Sequence, residues 1–192
     1  MGMKNQFTIS AAYQWANSKS DSTNSEKAIK KIAEMIKNRF SNNENGKHNY
    51  NVNFRRLRAS AGRTMLESIY KRIENSQVVI IDITRPNSNV FIEAGIAIAL
   101  SKKHAFLSVY FIKEVNVSDD LLLNLPSDLQ GYFISGYKMD KSGEAIFQDS
   151  LSLRMSIESD VKEYFNAFEK QFDSIDEITD NDIVNLNSKS EN

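Results

Sequence analysis

Cysteine is absent from this chain. That absence excludes disulfides, thiolate nucleophiles and cysteine-ligated metal sites together, and it fits a reducing compartment. Histidine is almost as scarce: His48 and His104 are the only two, too few for a histidine-built zinc site, and both read as ordinary loop residues. No apolar run approaches the roughly 18 to 20 residues a spanning helix needs, and the polar N-terminus lacks the apolar core of a signal peptide. The expected location is the cytoplasm, with no membrane partner. An excess of one charge is missing too. The formal balance of −1 gives the whole molecule no field to draw nucleic acid or anionic lipid, so any such contact must be local.

What is present suits a folded globule. Hydrophobic residues make up 41% and aromatics 10%, enough to rule out disorder across the whole chain. The 192 residues fit one domain with a tail better than two, since domains commonly hold about 100 to 150 residues.

Residues 7–13 (FTISAAY) are short and apolar and lead into a polar loop, the signature of a first strand. Thr23 followed by Glu26 matches a capping box, and Ile29, Ile32, Ala33, Ile36 and Phe40 recur at helical spacing, predicting a helix over 24–39. Tyr50, Val52 and Phe54 alternate as a second, edge strand. A helix is expected from near Ser60, with Met65, Leu66, Ile69, Tyr70 and Ile73 as its apolar stripe. Residues 78–83 (VVIIDI) are continuously apolar up to Asp82, the pattern of a central strand buried on both faces of a parallel sheet. Residues 89–100 are apolar nearly all round, predicting a buried helix. A strand over 105–112, a short piece broken by Pro126, a strand over 132–137 and a long helix over 145–172 complete the pattern. Beyond Phe172, acidic residues with Asn and Ser predict a disordered tail over 173–192.

Strands alternating with helices require crossover connections. The expected fold is therefore an α/β three-layer sandwich around a five-stranded parallel sheet, in the flavodoxin-like order 2-1-3-4-5. Such sheets bind ligands outside the carboxyl ends of their strands, at the switch point between strands one and three. That places the loops after Tyr13 and after Ile83 side by side. Asp82 closes the central strand, and Glu93 follows in the first turns of the next helix, so both carboxylates approach one edge. The helix macrodipole would favour the ionised form of Glu93 by about 0.3 to 1 kcal/mol. A carboxylate held ionised there could stabilise the oxocarbenium-like charge that develops as a glycosidic bond breaks. An acid near a helix start is equally an ordinary structural feature.

The stretch VIIDITRPNSNVFIEAGIAIAL, residues 79–100, resembles the signature D-[IL]-T-x-x-N-x-N-V-x-x-E-x-G-x-A-x-A-L of bacterial TIR-like and nucleoside 2-deoxyribosyltransferase-like proteins. It fixes Asp82, Thr84, Asn87, Asn89, Val90, Glu93, Gly95, Ala97, Ala99 and Leu100 together. FTISAAY near the start, Pro126-Ser127-Asp128-Leu129, and the strand through Tyr137 extend the likeness over roughly residues 5–140. The resemblance implies cleavage of an N-glycosidic bond, with Glu93 as nucleophile or cation stabiliser, in a setting of bacterial defence or signalling. Family members that exchange bases carry an aspartate six residues before the glutamate, where this chain has Asn87. Hydrolysis of NAD or a related nucleotide is therefore expected in preference to base exchange. Asp82 and Asn89 are then candidates for ribose hydroxyls or for orienting Glu93; Thr84 and Asn87 join the substrate contacts, and Ser10, Ala11 and Tyr13 line the first-strand loop. No cofactor beyond the substrate itself is expected. The same resemblance accommodates a non-catalytic nucleotide-binding or TIR-like signalling module, and a nucleoside or deoxynucleoside monophosphate N-glycosidase.

Arg55, Arg56, Arg58, Arg63, Lys71 and Arg72 form a basic stretch near a helix start, where Arg63 is a candidate for ligand phosphate. A solvated face reads the same way, and the lack of interleaved aromatics argues against a nucleic-acid partner. Tyr13 and Trp15 could stack on a base or cap the core. Gly95 is expected to serve close helix-to-sheet packing. Val161, Phe165 and Phe168 suit either core or the surface of a homo-oligomer.

Overall fold

A computed structural model describes residues 6–14, 23–41, 51–57, 64–85, 88–115, 129 and 131–189, with side chains described as far as residue 170 except at Ser41. The elements run β1 (Phe7–Ala12), α1 (Asn24–Ser41), β2 (Val52–Arg56), α2 (Met65–Glu74), β3 (Val78–Asp82), α3 (Ser88–Ser101), β4 (Ser108–Glu114), β5 (Ile134–Met139), β6 (Ala145–Phe147) and α4 (Ser150–Lys189). Among the described residues, one sheet holds six strands in the order β2-β1-β3-β4-β5-β6. The first five are mutually parallel and follow the expected order. The sixth pairs antiparallel to β5, with Tyr137 opposite Phe147 and Met139 opposite Ala145.

The expected count of five strands is therefore corrected to six, and the long helix starts at Ser150 rather than Ala145. The cause is local. Asp140 Oδ1 accepts hydrogen bonds from Ser142 N at 2.8 Å, Ser142 Oγ at 2.6 Å and Glu144 N at 2.9 Å. Gly143 takes a φ of +80° that suits glycine. This turn reverses the chain, and Ala145 and Phe147 then bury one face while Ile146 stays out.

β3 explains why the sheet is covered on both sides. Val78 and Ile80 enter a core built with Ile29, Ile32 and Ile36 of α1 and Leu153, Ile157 and Val161 of α4. Val79 and Ile81 enter a second core with Ile69 and Ile73 of α2 and Val90, Ala94 and Ala97 of α3. Burying each such Val, Leu or Ile side chain contributes about 1.5 to 3 kcal/mol. The layers are thus helix pair, sheet, helix pair.

Two helices differ from the periodicity reading. α2 begins at Met65 because Thr64 caps it, its Oγ1 accepting from Glu67 N at 3.2 Å. Of the expected α2 stripe, Ile69 and Ile73 are buried while Met65, Leu66 and Tyr70 are exposed. α3 is not buried all round: Phe91 is 43% and Ile92 46% exposed. Gly95 is exposed as well, and a Cβ there would meet nothing within 4 Å, so close packing does not require this glycine. α4 is helical as far as Lys189, over most of the stretch expected to be a disordered tail. The segment around Pro126 and the loop residue Trp15 lie outside the described residues. Among the described residues, no helix is long and apolar enough to cross a membrane.

Candidate functional site at the carboxyl edge of the sheet

Because β1 to β5 run parallel, their carboxyl ends share one edge, and the polar groups that end them are brought together there. Asp82 ends β3 and is almost fully buried. Its Oδ1 accepts from Thr84 N and its Oδ2 from the Tyr137 hydroxyl, both at 2.7 Å. Thr84 Oγ1 in turn accepts from Glu114 N at 2.7 Å and lies 3.4 Å from the Tyr137 hydroxyl. Asn24 Nδ2 donates to Glu114 Oε1 at 2.8 Å, tying the start of α1 to the end of β4. The network joins β3, β4, β5 and α1.

Burial pushes the Asp82 carboxyl above the usual carboxylate range, although hydrogen bonds from Thr84, Tyr137 and Ser25 oppose that rise. Burial, and next the Asp82 charge, also push the Tyr137 hydroxyl up, so Tyr137 remains a proton donor to Asp82. Tyr137 is a residue the motif reading did not single out for the site. Its signal is positional: it is the large buried side chain with a polar tip in a strand ending at this edge.

Glu93 approaches from the other side. Alternation along β3 points Asp82 with Val78 and Ile80 toward α1, in agreement with its bond to Ser25. Glu93 instead belongs to the sheet-facing stripe of α3, with Val90, Ala94, Ala97 and Leu100. It is only 8% exposed, and no hydrogen bond or ion pair among the described residues engages it. Burial raises its carboxyl from 4.5 to about 7. The expected stabilisation of its ionised form by the helix dipole is corrected on this point. α3 begins at Ser88 and has no acid in its first turn, so the macrodipole has faded at Glu93 and desolvation decides the sign. The two carboxylates thus lie on opposite faces of the sheet, with no bond between them among the described residues.

Tyr13 follows β1 and is buried, its hydroxyl accepting from Arg56 Nε and its ring lying 4.6 Å from the Arg56 guanidinium carbon. Arg56 also pairs with Glu26 at 3.2 Å. Ala11 is core and lies on the same face. Ser10 points the opposite way, its Oγ 2.7 Å from Ser76 Oγ just before β3 begins. Period-2 alternation therefore puts Ser10 on the face opposite Ala11 and Tyr13, and its bond to Ser76 sets it toward the start of β3. Asn89 is exposed in the first turn of α3. Arg63 and Asn87 lie outside the described residues. Among the described residues, no group of three or more His, Asp or Glu side chains gathers as a metal would require.

No protein-family model matches the chain, and no curated protein matches it. Among solved structures, the crystal structure of a pilus assembly-related protein from Burkholderia pseudomallei is similar to 84% of this chain, and to 94% of its own, at 12% identity and a TM-score of 0.39. A likeness that loose carries no argument about function.

Proposed function

We propose that the protein hydrolyses the N-glycosidic bond of NAD or a related nucleotide at the carboxyl edge, with Glu93 as the group that meets the sugar. The observation that carries this reading is a carboxyl placed on the core-facing stripe of α3, without a described partner, and raised to about 7. An ionisable group so placed costs stability, and near-neutral carboxylates of this kind concentrate at functional sites. In the reaction the C1′–N bond breaks and its electron pair leaves with the base. The ionised Glu93 either bonds to C1′ or faces the cation, and water supplies the new C1′ oxygen. A purine needs a proton to depart, whereas nicotinamide leaves NAD as a neutral molecule. The nicotinamide bond is the favoured substrate because its cleavage needs no general acid. Asp82, bound to Tyr137 and Thr84, holds the shape of the edge and the loop after β3.

The apolar side chains of α2 and α3 that are exposed among the described residues, with Leu66 57% exposed, favour a second reading, a nucleotide-binding signalling module that docks on a partner without turnover. Incubating the purified chain with NAD, nucleoside monophosphates and nucleosides, and resolving the released bases, separates the two. Free nicotinamide is the expected product, and binding without any released base supports the module.

A further inference from the structure

The basic stretch noted in the sequence resolves into one residue with a defined setting. Arg56 ends β2, and in the sheet register it lies opposite Ala11 of β1. That puts its guanidinium at the carboxyl edge, beside Tyr13 and one strand away from the β1–β3 switch point where parallel sheets bind ligands. Tyr13 grips the group from two directions, through its ring face and through the bond from Nε to its hydroxyl. Burial pushes the Tyr13 hydroxyl up, so it stays neutral. It fixes the guanidinium without cancelling its charge.

The charge is met by Glu26. Arg56 Nη2 lies 3.2 Å from Glu26 Oε2, and Lys30 Nζ lies 3.2 Å from Glu26 Oε1. Glu26 sits in the first turn of α1, where Thr23 Oγ1 accepts from its backbone N at 3.1 Å. One carboxylate is thus shared between two cations. The Arg56 side chain is 32% exposed and that of Glu26 23%. The pair is within reach of solvent, and a planar guanidinium fixed by an aromatic ring suits the bidentate capture of a phosphate.

We propose that Arg56 is the phosphate-binding group of the carboxyl edge, and that Glu26 covers it until an ionised phosphate of the ligand displaces the carboxylate. Lys30 then retains Glu26, so the displaced carboxylate keeps a partner. The proposal rests on the nucleotide reading above and gives it a specific class of ligand, one carrying phosphate on the β2 side of the carboxyl edge.

The test is calorimetric titration of the full chain with AMP and ADP-ribose, against adenosine, in wild type, Arg56→Gln, Arg56→Lys and Glu26→Gln, with thermal melts to confirm folding. Arg56→Gln should weaken both phosphate ligands at least tenfold and leave adenosine unchanged, with Arg56→Lys recovering part of the loss. Glu26→Gln should tighten the phosphate ligands about threefold or more. Equal losses for all three ligands in Arg56→Gln overturn the proposal, and so does weaker phosphate binding in Glu26→Gln, which would make Glu26 a brace for Arg56. Wild type that binds adenosine as tightly as AMP overturns the phosphate assignment alone. Wild type that binds none of the three overturns the nucleotide reading and this proposal with it.

Discussion

The Tyr137 hydroxyl donates a 2.7 Å hydrogen bond to the buried carboxyl of Asp82, joining the carboxyl ends of β5 and β3 across the intervening β4. Tyr137→Phe keeps the ring in the core and removes the donor. A lost bond to a buried acid costs about 1 to 3 kcal/mol, so the melting temperature should fall by several degrees. Burial already holds the folded-state Asp82 above its ordinary range, and losing Tyr137 raises it further. Stability of the variant should therefore fall more steeply than wild type as pH rises above the unfolded aspartate range, and the two should converge in acid. Melts across pH that run parallel at every value would refute this.

Glu93 carries the opposite experiment. Its folded value near 7 lies above its ordinary 4.5, so the folded state holds the proton more tightly than the unfolded chain. Stability is then fully present below about 4.5 and is lost as pH rises toward 7, beyond which the deficit is constant. Glu93→Gln removes the buried charge. The variant should melt higher than wild type above pH 7, and the difference should shrink to nothing in acid. A variant less stable than wild type at pH 8 would show that the Glu93 charge has a stabilising partner.

Two glycines should respond with opposite signs. Gly95 lies within α3 with open space where a Cβ would stand, so Gly95→Ala should stabilise by up to about 1 kcal/mol through helix propensity alone. Gly143 has a φ of +80°, and a Cβ there would meet Lys27 Nζ at 3.2 Å. Gly143→Ala should destabilise by about 1 to 2 kcal/mol and loosen the β5–β6 hairpin. Denaturant midpoints of the two variants check both signs.

The periodic elements are legible in the sequence because their pattern is set by burial. VVIID alternates nothing, since both of its faces meet helices, and that alone places Asp82 at the end of an interior strand. β6 escapes because three residues carry little periodicity, although Asp140 and Gly143 spell the turn before it. Apolar composition does not say which side of α3 meets the sheet, so the exposure of Phe91, Ile92 and Gly95 is decided by packing. Ser10 and Ala11 are neighbours in a strand and must face opposite ways, a conflict visible in the sequence once period 2 is applied. The environment of Glu93 is not legible, because a helix-start position says nothing about how far the side chain is desolvated.

The account turns on Glu93, and the most direct measurement is the initial rate of base release from NAD by wild type and by Glu93→Gln from pH 5 to 9, on protein shown to be folded at each pH. Wild-type rate should climb with pH and level off above a midpoint near 7, as the carboxyl ionises. Glu93→Gln should fall at least about a hundredfold, with no such rise. Undiminished release by Glu93→Gln, or no release by wild type at any pH, would contradict the catalytic assignment.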